Sequence, residues 1–271
     1  MTQQNEEPVR RAPARWPVLV AIGLIAGALS GLFGIGGGVA IVPLLVAWCG
    51  RDQRQAVATS LLALGPLAVA GVLGYSAHGQ IDLRFALPLA VGSMIGAWIG
   101  AHLLNKVPLA ALRWFFAGIS LVTAARLLLD PGVATGEMSH EWWRLALLLP
   151  IGVLIGVIAA LAGIGGGAVM VPVMQLGFGV PAALAKGTSL LVILPTSILG
   201  GSRNLRLGNG SLRDAMWIGC SGILATVATT QWSVVMNPLL SDVLFGLLLV
   251  FVAFRTVWKD LKGLLAKRKK S

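Results

Sequence analysis

The stretch GIGGGVAIVP, residues 34–43, and its near copy GIGGGAVMVP, residues 163–172, lie inside long apolar segments of a 271-residue chain. Glycine weakens a helix and permits backbone geometries that other residues avoid, while a proline inside a helix removes a hydrogen bond. We therefore expect the helix to break at each glycine cluster, near residues 34–38 and again near residues 163–167.

The two clusters belong to a longer internal repeat with a constant offset of 129 residues. The same shift superposes Thr59-Ser60 on Thr188-Ser189, Pro66 on Pro195, Gly71 on Gly200 and Arg126 on Arg255. Apolar composition alone would not align prolines and arginines at one offset. The pattern predicts two homologous halves. The predicted segments are a polar N-terminus at 1–16, a first transmembrane repeat at 17–129, a polar linker at 130–141, a second repeat at 142–258 and a basic tail at 259–271.

The composition excludes most classes of soluble protein. Hydrophobic residues make up 56% of the chain and charged residues only 11%, whereas a soluble domain carries about 25% charge. The apolar residues form blocks of roughly 18 to 30 residues, long enough to cross the hydrocarbon core of a bilayer as helix. The sequence predicts an all-α polytopic membrane protein with about four to five transmembrane segments in each half.

The number of crossings depends on the broken segments. Pro17 to Trp48 would form a helix of about 48 Å, too long for one crossing. If the piece after the break turns back without crossing, eight spans form two parallel repeats; if it crosses, ten spans form two inverted repeats.

The basic residues indicate topology rather than nucleic-acid binding. The net charge is +11, but seven of the 21 Lys and Arg follow Phe254. Lys and Arg concentrate on the cytoplasmic side of membrane proteins. Both span models then place the two termini in the cytoplasm.

The broken helices are the first candidate site, because the N-terminus of a half-helix presents N–H groups and partial positive charge to an anion. The residues concerned are Gly36, Gly37 and Gly38 in the first half and Gly165, Gly166 and Gly167 in the second. The alternative is close helix packing, which also explains the four-residue spacing of Gly23, Gly27 and Gly31 and of Gly92, Gly96 and Gly100.

Polar residues follow each broken segment. Thr59, Ser60, Thr188 and Ser189 either cap helix N-termini or contribute donors and acceptors to a substrate. Lys186 also has two interpretations: its ammonium neutralises an anion, or its side chain snorkels to a membrane interface. Val57 holds the matching place in the first half.

The sequence contains only incomplete matches to enzyme and cofactor-binding motifs. His140-Glu141 begins like a zinc-protease motif, but Arg144 replaces the second histidine, and the glycine clusters lack the lysine of a phosphate-binding loop. We expect no enzyme activity, no cofactor and no metal site.

The doubled GIGGG and VP motifs, each followed by TSLL, resemble the TauE/SafE family of sulfite and organosulfur-anion exporters. The resemblance covers Val18 to about Lys259. It implies a multi-pass permease of the cytoplasmic (inner) membrane. The expected function is secondary export of a small anion such as sulfite or a sulfonate by alternating access, coupled to protons or to the membrane potential. A passive anion channel, and a membrane-embedded enzyme or assembly factor that uses the glycine-lined cavity, remain alternatives.

Overall fold

The computed structural model describes residues 15–103, 109–129 and 142–268. The predicted linker 130–141 and almost all of the polar N-terminus lie outside these ranges. The helices are α1 (Trp16–Phe33), α2 (Gly38–Trp48), α3 (Gln53–Ser76), α4 (Leu83–Leu103), α5 (Leu109–Leu129), α6 (Trp142–Ala162), α7 (Gly167–Pro172), which continues as a π-helical turn (Val173–Gly177), α8 (Ala182–Arg206), α9 (Leu212–Val235) and α10 (Pro238–Arg268).

Helix length and composition confirm the predicted class. Six helices among the described residues are long and apolar enough to cross a membrane. These are Trp16–Phe33, Gln53–Ser76, Leu83–Gly100, Leu145–Ala162, Ala182–Arg206 and Leu212–Val235. The described ranges contain helices and turns but no strand. The protein is thus an all-α polytopic membrane protein.

The helices are interrupted where the glycine clusters lie. Helix α1 ends at Phe33 and α2 begins at Gly38, and the second interruption separates α6 from α7. Gly37 and Gly166 adopt φ angles of 77° and 83°, a left-handed conformation that favours glycine. The chain also turns back at these points, because Gly37 packs against Ala26, well before the end of α1.

Contacts along α1 give the direction of its neighbours. The rings of Trp16 and Trp217 lie 6.0 Å apart at the starts of α1 and α9, and Ser233 near the end of α9 donates to the Leu32 carbonyl at 2.9 Å. Helices α1 and α9 are therefore parallel. We name the end of the molecule that holds Trp16 and Trp217 the basal face, and the end that holds the α3–α4 connection the apical face.

Helix α3 also runs from the basal to the apical face. Gly219 packs against Pro66, and the Tyr75 hydroxyl lies 3.0 Å from the Ser233 hydroxyl, so α3 follows α9 in the same direction. Because α1 and α3 are parallel, the half-length α2 returns the chain to the basal face. Helix α6 runs parallel to α4, because Gly92 packs against Leu149 and Gly100 against Val157. Since the short α3–α4 connection reverses the chain, α6 runs opposite to α1, as the inverted alternative requires. The described chain begins and ends on the basal side.

The two halves exchange their packing partners. Helix α1 packs mainly on α9, and α6 packs mainly on α4, while α3 crosses α8 and α5 lies beside α10. Small residues permit the closest approaches: a Cβ at Gly27 would collide with the Gly222 carbonyl, and one at Gly96 with the Val153 carbonyl. The close packing expected of the glycines spaced four apart is confirmed. The exchange brings both helix breaks to the centre of the molecule.

Candidate functional site

The two helix breaks contact each other at the centre. A Cβ placed on Gly38 would lie 2.7 Å from the Gly163 carbonyl oxygen, and one placed on Gly167 would lie 2.7 Å from the Gly34 carbonyl oxygen. The start of each half-helix therefore lies directly against the end of the long helix of the opposite half. We call residues 34–38 and 163–167 together the crossing point.

Two serines bind the helix ends at the crossing point. Ser60 Oγ donates to the Gly163 carbonyl at 2.9 Å, and Ser189 Oγ donates to the Gly34 carbonyl at 2.6 Å. The last carbonyls of a helix lack intrahelical partners, so each serine satisfies a helix end that belongs to the other half. The expectation that these serines cap helix N-termini is wrong.

The two threonines bind loops instead. Thr59 Oγ1 accepts a hydrogen bond from the Ser211 backbone N–H, and Thr188 Oγ1 accepts one from the Asp82 N–H, both at 3.0 Å. Ser211 precedes α9 and Asp82 precedes α4. The threonines therefore hold the start of α9 against α3 and the start of α4 against α8, which in each case joins the two halves. They too are not caps of helix N-termini.

The N-termini of the half-helices are buried at the crossing point. The N-cap residue of each half-helix is a glycine, Gly37 or Gly166, so no N-cap side chain covers the first N–H groups of the half-helix. The six glycines predicted as a binding site are gathered here and are all buried. Methyl groups of Leu64 and Ile193 pack over Gly36 and Gly165. The crossing point is thus closed in this conformation.

Lys186 is buried beside the crossing point. Only 2% of its surface is exposed. Its ammonium donates to Ser241 Oγ at 2.7 Å and to Ser233 Oγ at 3.1 Å, and it lies 5.8 Å from the centre of the Phe33 ring. The carboxylate of Asp242 interacts with it electrostatically. Because the side chain points into the protein, the snorkelling alternative is wrong.

The surroundings of Lys186 extend to the end of α1. The Tyr75 hydroxyl donates to the Gly31 carbonyl at 2.8 Å and also lies 3.0 Å from Ser233 Oγ. We call Lys186, Ser233, Ser241 and Tyr75 the apical network. It joins α3, α8, α9 and α10 around the end of α1.

Sequence reasoning missed three members of this network, although a signal was present. At the offset of 129, Ser233 corresponds to Leu104 and Ser241 to Leu112. Polar residues in one half whose equivalents are apolar mark chemistry that the duplicated fold does not require. Tyr75, the only tyrosine in the chain, carries a similar signal because it lies in an apolar segment.

A buried ion pair lies on the basal side. The guanidinium of Arg51 lies 2.6 Å from the carboxylate of Asp214, which is almost fully buried. Arg51 belongs to the α2–α3 connection and Asp214 to the first turn of α9. The equivalent positions, Val180 and Phe85, are apolar. The two faces of the molecule are therefore closed by different contacts.

Comparisons with known proteins agree with this architecture. A family model described as "Sulfite exporter TauE/SafE" matches residues 1–127 and 148–271. The probable membrane transporter protein YunE of Bacillus subtilis is 27% identical over 215 residues, which cover 71% of this chain and 79% of YunE. A probable membrane transporter protein of Xylella fastidiosa strain Temecula1 is 25% identical over 257 residues, with 92% and 97% of the two chains covered. No solved structure matches the chain. With a family match over nearly its whole length, the chain belongs to the TauE/SafE family of membrane proteins.

Proposed function

We propose that this protein is a secondary transporter that exports a small anion, such as sulfite or a sulfonate, by alternating access between its two halves. The observation that carries the proposal is the contact between two broken helices at the crossing point. Broken backbone at membrane depth is tolerated only where protein buries it or where it lines a cavity. Paired half-helices near the midplane are typical of substrate sites in transporters.

The anion would bind where the two half-helices begin. Helix α2 has eleven residues, and its N-terminus directs N–H groups and partial positive charge toward the crossing point. The N–H groups of Gly36 to Gly38 and Gly165 to Gly167 would surround the substrate together with Thr59, Ser60, Thr188 and Ser189. The serine hydroxyls that now bind helix-end carbonyls would turn to the anion when the crossing point opens.

Lys186 would neutralise the substrate charge from the apical side. An ammonium has three N–H donors, and Ser233 and Ser241 account for two of them. The Asp242 carboxylate also interacts with this ammonium, so an incoming anion would compete with Asp242 for the charge of Lys186. No dedicated proton relay is needed, because an anion that leaves a negative interior gains about 2.3 kcal/mol per charge for each 100 mV.

The proposed orientation places the basal face and both termini in the cytoplasm. The start of α1, the loop around Arg51 and the end of α8 around Arg203 lie on the basal side. We expect the N-terminal arginines and the basic tail on the same side, because Lys and Arg favour the cytoplasm. The proposed location is the cytoplasmic (inner) membrane. Opening toward the cytoplasm would separate Arg51 from Asp214, whereas opening outward would separate Phe85 from Phe178, whose rings now lie 5.8 Å apart.

Transport by the purified protein in liposomes tests the proposal. We expect saturable flux of radiolabelled sulfite or a sulfonate that responds to an imposed membrane potential. The double variant Ser60→Ala/Ser189→Ala removes both bonds at the crossing point and should lower the flux by at least about tenfold, because each charge-assisted hydrogen bond to the anion is worth roughly 1.5–3 kcal/mol. Ser202→Ala is the matched control, because Ser202 is exposed and bonds only to its own helix.

Other outcomes would reject the proposal. Flux that never saturates would indicate a passive channel. Absence of flux for every anion tested would leave an enzyme or assembly role as the better explanation. Equal flux in the double variant and the wild type would remove the serines from the substrate site.

A further inference from the structure

A glutamine on the second half-helix has buried polar atoms with no hydrogen-bond partner in the described part of the chain. Gln175 is 4% exposed, and neither its Oε1 nor its Nε2 has a hydrogen-bond partner among the residues that the structure describes. Burying an amide without partners costs free energy, and native proteins rarely accept it without a functional reason. The side chain therefore lacks a partner that the working protein supplies.

The backbone around Gln175 is also unusual. It lies in the π-helical turn Val173–Gly177. Such turns are rare in proteins overall, but those that occur are often found at functional sites. Two carbonyls of the turn have partners: Gly179 N–H donates to the Gln175 carbonyl, and Val180 N–H donates to the Met174 carbonyl, both at 3.1 Å. Among the described residues, the side-chain amide of Gln175 has no partner.

The first half shows that the fold does not require this arrangement. The position equivalent to Gln175 is Val46, which packs against the apolar core in α2, and α2 continues to Trp48 without a π-helical turn. The same half-helix is therefore built once with an apolar side chain and regular geometry. The second half carries the amide and the turn in addition.

The location fits a substrate pathway. Gln175 follows the start of α7 at Gly167 by about 12 Å of helix, on the side that leads from the crossing point to the apical face. Its neighbours along the chain, Met174 and Phe178, belong to the buried apolar core. An ion that crosses this region would find an amide where the chain is otherwise apolar.

We propose that Gln175 binds the transported oxoanion on the apical half of the pathway, and that the anion carries a proton. The amide Nε2 donates to a charged oxygen, and Oε1 accepts from the O–H of the same ligand. A neutral amide that offers both a donor and an acceptor matches a singly charged, protonated oxoanion better than an anion with acceptors alone. The hydrogen sulfite form of sulfite has this chemistry. The inference rests on the proposed function and narrows its substrate class.

Transport kinetics and thermal stability together test the inference. Gln175→Met keeps the length of the side chain and removes both polar atoms. We expect it to raise the KM for sulfite at mildly acidic pH, where sulfite carries one proton, by about tenfold. The KM for methanesulfonate, which has no O–H, should rise by about threefold or less. The midpoint of thermal unfolding without substrate should increase by about 2–4 °C, because an unpaired buried amide is removed.

The mirror variant Val46→Gln is the matched control. It places an amide in the first half and should lower the unfolding midpoint without changing either KM. Gln175→Leu repeats the test with a second apolar side chain in case the methionine packs poorly.

Each result bears on one claim. A lower unfolding midpoint with unchanged KM values in both apolar variants would show that the amide is structural and would overturn the inference. Equal increases in KM for both anions would overturn the assignment of a protonated substrate. If the wild type transports neither anion, the proposed function itself fails, which is a distinguishable outcome.

Discussion

Lys186 and Val57 occupy equivalent positions in the two halves, and their backbones pack in the same way. A Cβ at Gly34 would meet the Cα of Lys186, and a Cβ at Gly163 would meet the Cα of Val57. The side chains differ completely, since Lys186 binds two serines while Val57 belongs to the apolar core. Paired backbone contacts therefore set the geometry, and at single positions one half carries a charged or polar side chain where the other half is apolar.

The largest effect should come from breaking the shared geometry. Gly27 and Gly156 are equivalent, and a Cβ on either would collide with a backbone carbonyl, that of Gly222 or that of Ser93. We expect Gly27→Ala and Gly156→Ala each to lower the free energy of unfolding by about 1–3 kcal/mol through overpacking. Unfolding of the purified protein in detergent measures the loss.

Gly118→Ala is the control, because open space surrounds Gly118 on α5. It should leave stability unchanged or raise it by up to about 1 kcal/mol, because alanine favours the helix. A loss at Gly27 that exceeds the loss at Gly156 by more than about 1 kcal/mol would show that the two interfaces are not energetically equivalent, beyond ordinary variation between sites.

The next largest effect is expected at Lys186, the charged residue whose equivalent in the first half is apolar. If Lys186 contacts the anion, Lys186→Gln should weaken binding by about ten- to a hundredfold, the value of a hydrogen bond to a charged group. Lys186→Glu should weaken it further by repulsion between like charges. Isothermal calorimetry with the best transported anion gives the Kd. Val57→Met is the matched control, since it changes the equivalent side chain without changing charge, and equal Kd values in all variants would exclude Lys186 from the site.

A smaller effect is expected at the basal face, where Cys49 lies near the Arg51–Asp214 ion pair. Burial raises the pKa of the Cys49 thiol, the nearby Asp214 carboxylate raises it further, and Arg51 lowers it. The thiolate is the reactive form, so Cys49 should react slowly with maleimide at neutral pH. Asp214→Asn should lower the thiol pKa and speed the reaction about threefold, while Arg51→Gln should slow it.

This measurement uses a Cys220→Ser background, because Cys220 is exposed. The two variants are expected to change the labelling rate in opposite directions. An opening of the basal face would instead speed the reaction in both variants. Faster labelling in both would therefore indicate that the ion pair closes this face and that exposure, rather than charge, controls Cys49.

Local features of the fold were predictable, but the choice of partners was not. Consecutive glycines mark backbone that leaves the helical conformation, so the interruptions after Phe33 and Ala162 follow from the sequence. Both span models place the termini in the cytoplasm, so charge does not separate them, and the direction of the halves follows only from contacts such as Ser233 with Leu32. The homology of the two halves stays a prediction. Equivalent contacts do recur at the offset of 129.

The candidate site was predictable in composition and not in geometry. The glycines, Ser60 and Ser189 were identified from their repeated positions, yet their bonds join opposite halves, which no spacing along the chain reveals. Gln175 and Ser233 escaped notice because a single polar residue in an apolar helix has many explanations. Their significance depends on burial and partners, which are properties of packing.

The exchange of packing partners has a consequence for biosynthesis. Helix α1 is made first, but α9, against which its glycines pack, is completed about 200 residues later. At translation rates of about 5–20 residues per second, α1 waits about 10–40 s in the membrane for its principal neighbour. The first half therefore cannot mature alone, and the protein reaches its native packing only after nearly the whole chain has been inserted.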